Sequence, residues 1–117
     1  MDFEFYKTAD GERIANYELS TIQPETLQKQ IAKKLAYYKQ KTFLELSHSG
    51  VLEKTWTDNL WELKFLTSPP YRSLCLLTSK LSLVILHTFA KKYNGKIKSS
   101  VIDVALGRSK IYKEITN

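Results

Sequence analysis

Residues 60–89 read LWELKFLTSPPYRSLCLLTSKLSLVILHTF, and this stretch decides the fold. In its first segment Trp61, Leu63 and Phe65 alternate with Glu62 and Lys64, the period of two that marks a strand with one buried face. Thr67-Ser68-Pro69-Pro70 ends that strand at about Leu66, because two prolines remove ladder donors. A second strand is expected from Tyr71 to Leu77. Ser79-Lys80 then makes a tight connection, and the third strand, Leu81 to Phe89, is nearly all apolar and so is expected to be central. Three consecutive strands on short turns make an antiparallel meander.

Outward from the meander the period changes. Phe3 and Phe5 alternate with Asp2, Glu4 and Tyr6, which reads as a short strand, and Asp10-Gly11 marks a turn. Residues 12–20 form a short helix on this reading. Pro24 suits the first turn of a longer one, with Glu25 complementing its positive end. Leu27, Ile31, Leu35 and Tyr38 make one apolar stripe, while Lys29, Lys33, Lys34, Lys39 and Lys41 lie largely off it. The pattern runs to about Leu46, and Ser49-Gly50 stops it. Ser99 to Ile115 reads as a closing helix, with Ile102, Ala105 and either Arg108 or Ser109 on one face and Gly107 weakening it by ~1 kcal/mol. The expected architecture is α+β, with helices against one face of a small sheet.

A length of 117 residues fits one domain, 1–117. With 43% hydrophobic residues the chain can bury a core without a metal or disulfide, and its single cysteine excludes a disulfide framework or a cysteine zinc cluster. No apolar run approaches the ~18–20 residues of a membrane span. The N-terminus is mixed and charged, unlike a signal peptide, so the cytoplasm is the expected location. The formal net charge of +6 raises the expectation of a polyanionic partner such as nucleic acid, the ribosome or an acidic protein. The first 26 residues are net acidic; the basic excess lies at Lys29 to Lys41 and Lys91 to Lys98.

There is no Gly-rich phosphate loop, no His/Cys metal spacing, no serine-nucleophile elbow and no acidic cluster. The sequence therefore points to no metal and no small-molecule cofactor. Phosphodiester chemistry here would rest on cations and a proton carrier. Arg72 begins a strand directly after the Pro-Pro turn, where a guanidinium could grip a phosphate bidentately; the plain alternative is a surface pair with Glu62. His87, two residues before Phe89 and assigned to the same face as Ile85, suits proton transfer near neutrality or is simply a core residue. Lys91-Lys92-Tyr93, with Lys96 and Lys98 behind, suits single-stranded RNA, lysines meeting phosphates and a ring stacking a base; the alternative is a solvated loop. Lys64 would complete a positive surface with Arg72 and Lys92. Cys75, Trp56 and Trp61 read as packing, Trp56 with its ring partly exposed because its segment is polar.

Three segments together carry a family likeness: Asn59-Leu-Trp-Glu-Leu-Lys-Phe65, Pro70-Tyr-Arg72 and Val84-Ile-Leu-His-Thr-Phe-Ala-Lys-Lys92. They resemble the HigB branch of the RelE superfamily, which includes phage-derived toxin-like proteins. Members typically read LWELR, then YR before an apolar strand, then LHxFxKK before a helix with spaced Ala, Arg and Tyr, here Ala105, Arg108 and Tyr112. The chain departs from the pattern at Lys64, in place of arginine, and at Asn94 to Ser99, in place of KTP.

The resemblance implies a RelE-like fold: a small antiparallel-rich sheet of an N-terminal strand plus the meander, two N-terminal helices and a C-terminal helix. It also implies the toxin of a type II toxin–antitoxin pair, a ribosome-dependent mRNA endonuclease cutting by metal-free 2′-OH attack. Its partners would be a helix-turn-helix, HigA-like antitoxin, the ribosome and mRNA. By position Arg72, His87 and Lys92 would be catalytic, and Lys64, Lys91, Tyr93 and Arg108 would bind RNA. The alternative is a non-catalytic phage or mobile-element module of the same fold that binds RNA or protein.

Overall fold

A computed structural model describes residues 1–91 and 96–116. The elements run β1 (Phe3–Phe5), α1 (Ile14–Ser20), α2 (Glu25–Lys39), α3 (Phe43–His48), β2 (Leu52–Lys54), β3 (Leu60–Lys64), β4 (Tyr71–Leu77), β5 (Leu83–Ala90) and α4 (Ser99–Thr116). The five strands form one mixed sheet in the order β1-β5-β4-β3-β2. The expected meander is β3-β4-β5, antiparallel throughout, and β5 is an interior strand. β1 pairs parallel with β5, Phe3 opposite Leu83 and Phe5 opposite Ile85, so the N-terminal strand closes one side of the meander. The α+β arrangement expected from the sequence is present. Among the described residues no helix is long and apolar enough to cross a membrane.

The sheet is covered on both faces, which corrects the expectation of helices on one. Leu63, Phe65, Cys75, Leu83 and Ile85 pack with Leu27, Ile31 and Tyr38 of α2 and Leu46 of α3. Leu60, Leu74, Leu76, Val84 and Leu86 pack with Ala15 of α1 and Ala105 of α4. The reason lies in β4 and β5: both are apolar at consecutive positions, so each presents an oily surface on either side. α1 bridges the two clusters, since Leu19 joins the first while Ile14 and Ala15 join the second.

The β4–β5 ladder contains an irregularity. Cys75 pairs with Ile85 but Leu74 pairs with His87, leaving Leu86 as an extra residue on β5. Side chains alternate along a strand, so one inserted residue exchanges the two faces beyond it. Ile85 lies in the α2 cluster, whereas His87 lies on the side of α1 and α4. The expectation that His87 shares a face with Ile85 therefore fails, because it assumed an unbroken period of two. Trp56, expected to pack, is instead fully exposed in the polar connection between β2 and β3.

The long N-terminal helical pattern divides. α2 stops at Lys39, and Thr42 opens α3 with a reciprocal cap: its hydroxyl accepts from the Glu45 amide and its own amide donates to the Glu45 carboxylate. The Leu27, Ile31, Tyr38 stripe is buried as its spacing predicts, and Leu35 is half-buried. Tyr38 also donates its hydroxyl to the Lys64 carbonyl at 2.7 Å, fastening α2 to the end of β3. Burial raises the Tyr38 phenol to about 12, against the nearby Arg72 charge, which works to lower it. Truncating Ile31, 1% exposed, to alanine is expected to cost ~2–5 kcal/mol in urea unfolding, and the same change at Leu35 less.

Candidate functional site

The α1/α4 side of the sheet changes character along its strands. At the Leu60, Leu76 and Val84 end it is apolar; toward Lys64, Arg72 and Lys91 it becomes polar. The register sets Lys64 opposite Arg72 and Arg72 opposite Phe89, and one step along the strands Glu62 stands opposite Leu74 and Leu74 opposite His87. Arg72 and His87 thus sit on one face, on neighbouring strands. The Phe89 ring stacks on the imidazole at 6.0 Å between centroids.

His87 is gripped from two helices. The Glu18 carboxylate of α1 lies with its oxygens 3.0 and 3.1 Å from His87 Nδ1. Arg108 of α4 donates from Nη1 to Glu18 at 2.9 Å and to the Leu86 carbonyl at 2.8 Å, and the same nitrogen is 3.5 Å from His87 Nδ1. The Thr88 amide adds a longer donation to Glu18 at 3.4 Å, and the Arg108 guanidinium lies over the buried Tyr6 ring. All three side chains are largely covered, at 17%, 20% and 14% exposure for His87, Glu18 and Arg108. A covered charge needs a partner, and each charge-assisted hydrogen bond here is of the class worth ~1.5–3 kcal/mol.

The remaining cations on this face have partners of their own. Lys64 donates to Glu53 of β2 at 2.6 Å, and Lys91 donates to the buried Glu62 of β3 at 3.1 Å. Glu62 is therefore the partner of Lys91 and not of Arg72. Among the described residues Arg72 makes no salt bridge. Its Nε is buried without a hydrogen bond, and Nη1 has only a long contact to the Tyr71 carbonyl, 3.4 Å. Tyr112 donates to Glu4 at 2.9 Å and ties α4 to β1. Cys75 is fully buried, and burial pushes its thiol far above the ordinary range, as suits a packing residue.

The structure thus brings His87 and Arg108 into one network and sets Lys64 and Arg72 side by side, with Lys91 reaching the same face through Glu62. The catalytic role expected of Lys92 and the stacking role expected of Tyr93 fall on residues 92–95, outside the described residues. Among the described residues no three His, Cys, Asp or Glu side chains stand together as a set that could hold a metal.

Glu18 is the residue sequence reasoning missed. Its signal was slight: Ile14, Ala15 and Glu18, at i, i+1 and i+4, share one face of a short helix, where a carboxylate needs a reason to be.

Burial works to raise the Glu18 carboxyl, but hydrogen bonds from His87 and Arg108, with their charges, outweigh it and hold the group below its ordinary 4.5. The folded chain therefore binds fewer protons here than the unfolded chain as pH falls through this range. The stabilisation is complete above pH 4.5 and is lost as pH drops through the lowered folded value. Acid unfolding monitored by circular dichroism should show this limb, and Glu18→Gln should flatten it.

Comparison with curated proteins finds no match for this chain. The model of the family described as "Phage derived protein Gp49-like (DUF891)" matches residues 19–110, which take in α2 through most of α4 and so the whole β2–β5 sheet with Arg72, His87 and Arg108. The chain belongs to the phage-derived Gp49-like protein family.

Proposed function

We propose that this Gp49-like chain is the toxin of a type II toxin–antitoxin pair and cuts mRNA on the ribosome. The observation that carries the reading is the placement of Arg72 and His87 on one sheet face, diagonal to each other on neighbouring strands, the guanidinium without a carboxylate partner among the described residues and the imidazole held by Nδ1. A guanidinium with open donors matches the equatorial oxygens of a phosphate. An imidazole beside it can move a proton. Membership of a phage-derived family and the resemblance to HigB and RelE toxins support the same reading.

The chemistry proceeds within the RNA. The ribose 2′-oxygen bonds to the adjacent phosphorus as the bond from phosphorus to the 5′-oxygen breaks. The 2′-hydroxyl proton passes to His87, and water protonates the departing 5′-oxygen. The products are a 2′,3′-cyclic phosphate and a 5′-hydroxyl. Arg72 stabilises the charge that gathers on the phosphate, and the ribosome aligns the strand. Lys92 and Tyr93 belong to the same proposal as phosphate and base contacts, as do Lys64 and Lys91. Arg108 takes a different place, since its guanidinium is engaged by Glu18 and Leu86. A helix-turn-helix antitoxin completes the proposed pair.

Induced expression with mapping of mRNA 5′ ends tests this directly. The wild type should arrest growth and leave cut codons with cyclic phosphate ends. Arg72→Ala should lower the rate about 10²–10³-fold, the scale of removing one stabilising donor. Arg72→Lys should rescue only part, because a point charge cannot reproduce the planar fork. Growth arrest without cleavage, or cleavage unchanged in Arg72→Ala, would leave the non-catalytic binding module as the better reading.

A further inference from the structure

Glu18 has no role in the reaction as written above, yet it is the most heavily engaged carboxylate on this face. Three groups converge on it, His87 Nδ1, the Arg108 guanidinium and the Thr88 amide, and Arg108 is itself tied to the Leu86 carbonyl. It comes from α1, 69 residues before His87 in the chain and 90 before Arg108, so no local sequence constraint brings the three together. Arg108 by itself is a sufficient partner for the Glu18 charge. What that pair leaves unexplained is the imidazole, placed with one ring nitrogen against both carboxylate oxygens.

We infer that Glu18, anchored by Arg108, is a positioning residue: it fixes the proton of neutral His87 on Nδ1 and so leaves Nε2 as the atom that accepts the ribose 2′-hydroxyl proton. The inference rests on the function proposed above and deepens it. A carboxylate can only accept, so a neutral imidazole facing it must present N–H at Nδ1. The other nitrogen then carries a lone pair. Among the described residues Nε2 makes no hydrogen bond, and Phe89 stacked on the ring restricts its rotation. Arg108 is essential to the arrangement because it holds the carboxylate from the far side, and its second bond, to the Leu86 carbonyl, fixes it to the backbone of the strand that bears His87. When His87 takes the proton, the imidazolium forms against a carboxylate already in place, so no group has to reorganise. The charged and titratable groups around the ring are Glu18 from α1 and Arg108 from α4, with the Tyr6 ring stacked behind the guanidinium.

Two measurements on the full chain test this. The first is the tautomer of His87, read from the ring nitrogen shifts of the ¹⁵N-labelled wild type at a pH where the ring is neutral. Nδ1–H is expected, and Nε2–H would overturn the inference even if no variant folds. The second is a double-mutant cycle on mRNA cleavage in a purified translating system. Glu18→Gln should lower turnover about 10³–10⁴-fold, the scale of replacing the carboxylate behind a catalytic histidine by an amide. The apparent KM should change little. In a His87→Gln background the same Glu18→Gln change should cost nothing further, because Glu18 acts only through the ring. An equal loss in both backgrounds would make Glu18 a scaffold residue, and wild-type turnover in Glu18→Gln would deny it any role, in either case with the cleavage function standing. A wild type that cuts no mRNA would overturn the function and this inference together.

Discussion

The extra residue at Leu86 in the β4–β5 ladder is the constraint on which the rest of the site depends. On a strand facing core on both sides a polar group needs a partner, as Thr88 finds in Ser73, and strict alternation from Ile85 would bury His87 under α2 among Ile31, Leu83 and Phe65. The insertion turns the strand over. Residues before it keep one phase, and His87 and Phe89 take the other, toward α1 and α4. The two helices then supply what the imidazole needs, a carboxylate and a cation to hold the carboxylate. Bulges re-aim side chains in this way at the cost of one unpaired ladder position.

The same face shows how a chain with a large positive excess keeps its half-covered charges solvated by its own groups. Arg108, Lys91 and Lys64 are each matched by one glutamate, from α1, β3 and β2. The pairs differ in burial: Glu62 is 5% exposed and stands under Lys91, whereas the shorter Lys64–Glu53 pair is open to solvent at Glu53. Removing one member of the deeper pairs would strand a charge, a change of larger consequence than breaking an open pair.

The strands and helices were legible where a period ran for several residues without interruption. Trp61-Leu63-Phe65 against Glu62-Lys64, the Pro69-Pro70 stop and the Leu27-Ile31-Tyr38 stripe each led to the element now seen. β2 was not legible, since Leu52-Glu53-Lys54 is too short to display a period. The break before Thr42 could have been read, because Thr42-Phe-Leu-Glu45 has the spacing of a capping box. The parallel union of β1 with β5 and the bulge were beyond reach: both are long-range pairings, and no glycine or proline marks the bulge. The site followed the same rule. Arg72 and His87 stood out by residue type and context. Glu18 did not, since its partners lie 69 and 90 residues away.

The internal carboxylates also decide what this surface does when nothing is bound. A phosphate arriving at Lys64 or Lys91 must displace Glu53 or Glu62, and one anion replacing another returns little net energy. Among Lys64, Arg72 and Lys91 on this sheet face, Arg72 is the one with no carboxylate partner among the described residues, and a loose strand has to give up its own freedom to use it. A strand already immobilised on a large particle has surrendered that freedom beforehand, so the same weak anchor suffices. On this face the glutamates thus discount the lysines beside Arg72, so that an arriving anion gains less there than a count of cations would suggest.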